Sequence, residues 1–391
     1  MILPMRNRLF VLAFVLAATI PVLCPATQKS FDEVALGAEA ARTADRLQDA
    51  LRLYRQGVEL RPSWQDGWWW LGSLYYEQDR FPEAQAALAR FVLAAPKPGP
   101  AYAFLALSEY ETHDYARSLE HFEKWSLAGS PGTDELLDVA SFHWALLLTR
   151  EGRFVHALYL FAAKAQKRGY SPALAEAMGL ASLRMASLPE EYPPERREMV
   201  WLAGHAALYA AAQSHDFDRA DEFARRLLLH YGNQPNVHYF RGTLFDFRKM
   251  HESAKREYQE ELQISPEHAP AMVELARLYL AEHNFDEAAS WATRAAGITP
   301  EDPVAHYSLG RALLEMGQVQ RAALELESAV RRAPDSAPIR FQLATAYRRL
   351  GRNKEAEREF AVFADLKKKP EVLISPMQRE ELLEEAQGQS K

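Results

Sequence analysis

Proline returns at a fixed interval in this chain. Pro62 and Pro96 lie 34 residues apart, and Pro266, Pro300 and Pro334 recur at the same spacing in the second half. A constant period of this length means that one supersecondary unit is copied in tandem, because stacked copies share a core that no copy builds alone. Between the prolines, apolar residues recur at three- and four-residue steps, so the units are helical. Each period reads as one helical hairpin, ended by a proline that cannot continue the second helix.

The clearest unit is WWWLGSLYYEQDRFPEAQAALARFVLAAP, in which Trp68, Leu71, Gly72 and Tyr75 share one helical face and Ala84 and Leu88 answer on the next helix. A large residue, Leu-Gly, Tyr, Ala, a large residue and Pro in that order resemble the tetratricopeptide repeat. Three later units resemble it as strongly. One carries Leu275, Ala276, Tyr279, Ala288, Ala295 and Pro300; the next Leu309, Gly310, Ala322, Ala329 and Pro334; the last Leu343, Ala344, Tyr347, Ala356 and Phe360. A unit at 235–268 keeps Gly242, Phe245, Ala254, Tyr258 and Pro266, so 235–369 reads as a continuous C-terminal array of four hairpins. The resemblance implies an all-α fold, a right-handed α-solenoid of tandem hairpins.

The other units within residues 27–171 are more divergent. The unit at 31–64 keeps Ala50, Tyr54 and Pro62 but has an Ala-rich first helix, which suits a cap. Those at 99–132 and 138–171 preserve the second helix through Tyr115, Ser118, Phe122 and Phe154, Ala157, Phe161. Residues 172–234 break the period. Pro189, Pro193 and Pro194 forbid a straight continuation of the helix that opens at Pro172, so the expectation is a hairpin with a stretched connection, a second helix from about Glu195, and another at 217–230. The tail 370–391, with Ser375 as N-cap and Pro376 at the first helical position, reads as a polar capping helix.

At the other end Arg6 and Arg8 precede the apolar run Leu9–Leu23, a secretory signal pattern over 1–26 with its cut after Ala26. The run is shorter than the roughly 20 residues of a spanning helix, and Pro21 weakens its end, so no stable membrane span is expected after cleavage. The expected location is periplasmic or extracellular, the alternative being a chain anchored in the membrane through its N-terminus. Cys24, the single cysteine, follows Leu23 where a lipid-attachment site would carry a small residue.

Acidic residues (53) and basic residues (46) are interleaved along the helices at a net charge of −7, which leaves no basic face for nucleic acid. No Gly-rich phosphate loop, Gly-x-Ser-x-Gly elbow or His-Glu-x-x-His helix occurs. Neither cofactor nor metal is expected. His251 with Glu252 lacks a second histidine one turn on and reads as helix surface, while His113, His215 and His283 fall in the turn within a hairpin. Gly152, Gly317, Gly351 and Asp79 occupy that turn elsewhere, which points to a left-handed backbone there. Trp68, Trp69, Trp70, Trp144 and Trp201 read mostly as core, and the acidic stretch Glu257 to Glu261 as a solvated face.

The resemblance implies a non-enzymatic interaction scaffold whose concave groove, lined by the first helix of each hairpin, holds a partner protein or an extended peptide. Groove candidates lie about 100° around the helix from the core stripe: Trp69, Ala103, Phe142, Tyr239, Val273, Tyr307 and Phe341. Tyr76 and Tyr110 extend the aromatic set, and Arg277, Arg311 and Arg348 make the C-terminal end basic. Such a surface suits a peptide with apolar anchors and an acidic or C-terminal carboxylate group. The alternative is an enzyme or enzyme subunit with a site in the irregular 172–234 region, where Glu190, Glu191 and Glu195 cluster without a nucleophile, base or metal partner.

Overall fold

The computed structural model describes residues 30–212 and 215–368, so the signal segment 1–26, Cys24 and the tail 370–391 lie outside the described residues. Every regular element among them is helical. The N-terminal hairpins are α1 (Phe31–Thr43) with α2 (Leu47–Leu60), α3 (Gln65–Tyr76) with α4 (Phe81–Ala94), α5 (Ala101–Glu111) with α6 (Tyr115–Leu127), and α7 (Asp134–Arg150) with α8 (Phe154–Arg168). Then come α9 (Pro172–Ser182), a single 3-10 turn Pro194–Arg196, α10 (Arg197–Ala211) and α11 (Phe217–Tyr231). The C-terminal hairpins are α12 (Val237–Phe247) with α13 (His251–Ile264), α14 (Ala269–Ala281) with α15 (Phe285–Ile298), α16 (Pro303–Glu315) with α17 (Val319–Arg332), and α18 (Ala337–Arg349) with α19 (Asn353–Lys368).

Two close contacts explain why the repeat needs small residues on its first helix. A Cβ added at Gly72 or at Gly310 would stand 2.6 Å from Leu88 or Leu326 on the paired helix. The hairpin therefore closes with a leucine seated on bare backbone, at the density of a normal core.

The turn inside each hairpin repeats one backbone device. Asp45, Asp79, His113, Gly152, Arg184, His215, Lys249, His283, Gly317 and Gly351 all have φ between +43° and +76°. After nine of the ten, His215 being the exception, the next residue lets its N–H reach back five positions, as Arg80 does to the Tyr75 carbonyl at 3.0 Å. That is a Schellman-type helix end. Such a turn ends α9, while α10, which pairs with α11 and touches α12, takes the place of a first helix although its extended cap at Ala212 lacks that bond. Of nineteen described helices, ten are therefore first helices and nine are second helices.

The unmatched helix is α9. Its second helix is replaced by the connector 185–196, and α10 packs against both α9 and α11, serving as partner to each. A Cβ at Gly204 would lie 1.8 Å from the Ala175 carbonyl oxygen, and one at Gly179 would lie 2.1 Å from that of Val200, so α9 and α10 touch backbone to backbone. In the 172–234 region α9 and α10 are thus joined through the connector 185–196, and the array changes phase at α10.

First helices also touch one another along the stack: α3 with α5, α5 with α7, α7 with α9, α10 with α12, α14 with α16 and α16 with α18. Second helices make no comparable run of contacts. Closer spacing on one side bends the stack toward that side, which makes the first-helix face the inner one.

Candidate functional site

The inner face is built from the exposed flank of each first helix, because the opposite flank is taken up by the paired helix. Trp69 is half-buried, with ring centroids 5.6 Å from Phe91 on α4 and 5.7 Å from Phe104 on α5. Tyr76 meets the same Phe104 edge-on at 5.1 Å, and Tyr110 meets His143 of α7 at 4.8 Å. Arg42 of α1 lies 3.8 Å above the ring of Trp70. A cation–ring contact therefore steps from α1 to α3, and aromatic contacts from α3 to α5 and from α5 to α7. Burial raises the pKa of the Tyr76 and Tyr110 phenols, so both remain protonated hydrogen-bond donors.

Other candidates turn the opposite way. Phe142 packs on Phe161 of its own second helix at 5.8 Å, and Phe341 packs on Phe360 and Phe363 of α19 at 5.8 and 5.3 Å. Ala103, Tyr239 and Val273 are buried. Tyr239 sits between Tyr258 and His268, and its phenol is pushed up by that burial. Tyr307 is half-buried with the Arg311 guanidinium 5.7 Å from its ring centre, and the exposed Arg348 lies 5.4 Å from Phe360.

Arg277 is committed within the chain. It pairs with the buried Asp246 and, at 2.8 Å, with Glu274. Burial pushes Asp246 upward while Arg277 pulls it back, so this ion pair ties α12 to α14 through a site with little access to water. His251 belongs to the same network, 3.1 Å from Asp246, rather than to bare helix surface.

Three readings of the sequence are corrected here. The stretch Glu257 to Glu261 is not simply a solvated face: Glu257 pairs with Arg241 and His238, and Glu261 is fully buried, accepting the N–H groups of Asn236 (2.8 Å) and Tyr239 (3.2 Å). Trp201 is not core, being 44% exposed. Phe104, one position past the small Ala103, is the ring that α5 contributes to the aromatic run. A side chain one residue on from a buried alanine is the signal that would have found it.

Sequence reasoning also missed a recurring polar clasp. His238–Glu257, His306–Glu325 and Arg340–Glu359 each join first to second helix at 2.7 Å, the partners lying 19 positions apart. At the equivalent first-helix position Trp68, His306 and Arg340 donate to the carbonyls of Pro62, Pro300 and Pro334. The spacing of these pairs follows the proline period, so it was available in the sequence.

In the 172–234 region Glu191 accepts from Leu188 N–H and from Arg150, while Glu190 and Glu195 are exposed. Among the described residues no cluster of three or more His, Cys, Asp or Glu has metal-holding geometry. No described helix is long and apolar enough to cross a membrane.

The family profile described as "Tetratricopeptide repeat" matches residues 41–107, 248–312, 280–337 and 313–372. No curated protein matches the chain. Among solved structures, the MamA protein is 17% identical with a TM-score of 0.39 over 44% of this chain and 93% of that one. MamA from Desulfovibrio magneticus RS-1 is likewise 17% identical, with a TM-score of 0.39 over 44% of this chain and 96% of that one. YrrB, described as a TPR protein with an unusual peptide-binding site, is 17% identical with a TM-score of 0.38, covering 46% of this chain and 91% of its own.

Proposed function

For a chain that is a tetratricopeptide-repeat helical solenoid, we propose the role of an exported scaffold that holds a partner protein or extended peptide against its first-helix face. The repeat is a non-catalytic interaction module, and protein or peptide partners are what it takes. The observation that carries the proposal is the aromatic run Trp69–Phe104–Tyr76, half-buried rings that bridge adjacent first helices and keep one edge on the inner surface. Rings held this way offer large contact area at little entropic cost. Farther along, Tyr307 with Arg311 and then Arg348 supply an aromatic and basic end for an acidic segment.

Crosslinking with mass spectrometry in the native cells tests it. Crosslinks from the partner should fall on α3, α5, α16 and α18; crosslinks confined to second helices would overturn the groove. With the captured partner in hand, Trp69→Ala and the pair Tyr307→Ala with Arg311→Ala should each weaken binding about tenfold or more. Unchanged binding by folded variants removes that end of the groove from the reading. Export rests on the Arg6/Arg8 and Leu9–Leu23 pattern. N-terminal sequencing should find Thr27 first, whereas an intact Met1 in the membrane fraction marks an anchored chain and an acylated Cys24 a lipoprotein.

A further inference from the structure

Where α9 lacks a second helix, a cavity of about 340 Å³ opens between the end of α9, the connector and the loop that leads into α12. Leu183, Met185, Tyr192 and Met199 form apolar walls. Arg184 and Arg196 also line it, against the single carboxylate of Glu191. Glu191 is already engaged, accepting Leu188 N–H at 2.9 Å and Arg150 at 3.2 Å. Among the described residues neither Arg184 nor Arg196 is in an ion pair. The cavity is therefore apolar with an uncompensated positive end.

Arg184 is held in place from two sides. Its backbone occupies the left-handed turn position that ends α9, at φ +52°. Its guanidinium carbon lies 4.9 Å from the ring centre of Phe154 and 5.6 Å from that of Tyr239. The rings offset part of the cost of half-burying this cation, and an anion would offset the rest. A planar guanidinium recognises carboxylate in a forked geometry, and the apolar walls disfavour a strongly hydrated dianion such as phosphate.

We propose that this cavity binds a carboxylate carried on an apolar stem, the chemistry shared by a free polypeptide C-terminus and an N-acylated amino acid. The carboxylate meets Arg184 and Arg196, and the stem lies among Leu183, Met185 and Met199. A volume of about 340 Å³ is at the lower end for small-ligand pockets, enough for one or two side chains. None of the groove candidates lines the cavity, Tyr239 touching it only as the buried ring under Arg184, and the site does not depend on the groove reading.

Calorimetric titration of the full chain with N-acetyl-leucine and with an acetylated tripeptide ending in leucine, each as free acid and as amide, tests the proposal. The acids should bind saturably and the amides at least tenfold more weakly. Tighter binding of the tripeptide identifies a chain terminus as the source, and equal binding identifies the acyl amino acid. Arg184→Gln should lower acid affinity at least tenfold. Ala186→Trp, at the exposed mouth, should do the same by filling the space without touching the core. Should Arg184→Gln fail to fold, Ala186→Trp decides. No saturable binding of either acid, equal binding of acid and amide, or unchanged affinity in a folded variant overturns the site, whatever Tyr307→Ala does to partner binding.

Discussion

Glu261 stands at the position where the next two hairpins carry Ala295 and Ala329. The reason is local. Asn236 is in the left-handed region at φ +71° and gives α12 no side-chain cap, so the first N–H groups of that helix need an acceptor from elsewhere. Glu261 supplies it from across the hairpin, with no exposure to water. Glu261→Ala should fit the space and still cost about 1–3 kcal/mol, since it strands buried donors; chemical denaturation measures it, and a loss below about 0.5 kcal/mol would show that water replaces the carboxylate. His268 caps α14 in a comparable way. Its Nδ1 accepts from Ala271 N–H at 3.0 Å and its Nε2 faces Asn236 Oδ1 at 2.8 Å, an arrangement that only the neutral ring with its proton on Nε2 satisfies. Burial first, then the charge of Arg184, lowers its pKa to about 4. The unfolded ring titrates near 6.5. Between those values the unfolded chain binds a proton that the folded chain refuses, so stability rises with pH through this window and is lost as pH falls from about 6.5 toward 4. His156 shifts in the same direction, to about 4, through burial and then Arg153. Melting temperature should therefore fall between pH 7 and pH 5, and His268→Asn, which keeps a side-chain acceptor without titrating there, should flatten the fall. An unchanged pH slope in that variant would remove His268 as a source.

At the scale of elements, the hairpin and its turn were legible and the unmatched α9 was not. Gly or His in the turn betrayed a left-handed residue because few side chains tolerate positive φ, and His113, His215 and His283 are found there. Arg184 and Lys249 take the same backbone position, but their long side chains give no such signal. Proline density at 189–194 announced the break, but not that α10 serves two partners, because that depends on the backbone contact at Gly179 and Gly204. Gly204→Ala puts a methyl group against the Ala175 carbonyl, a backbone atom that cannot swing aside. It should destabilise the chain by more than about 2 kcal/mol, as overpacking of a tight crossing does. Thermal melting followed by helix signal reads the loss; a variant that melts as the parent does would mean α9 and α10 can separate without cost.

Across the whole molecule, each hairpin draws its stability mainly from its neighbours, as contacts between consecutive helices dominate the stack. The four C-terminal hairpins hold buried clusters of their own, centred on Tyr258, Leu275 and Leu278 in one and on Leu309, Leu313 and Leu326 in another. A fragment of residues 235–368 should therefore melt cooperatively without the N-terminal half. Lack of a cooperative helical transition would show that the contact of α10 with α12 and the Arg184–Tyr239 stack are required for folding.

The sequence by itself determined the hairpin, its copy number in the C-terminal half and the position of the break, because periodic burial and proline spacing are properties of neighbouring residues. It also carried the first-helix stripe from which groove candidates were drawn. Tertiary structure alone decided how those side chains divide. Trp69 and Tyr76 reach the next first helix, Phe142 and Phe341 fold onto their own second helix, and Arg277 is spent on Asp246. A residue's angle around one helix is set by its own chain, whereas which ring or carboxylate meets it there is set by the neighbouring hairpin, and that partner lies a full repeat away.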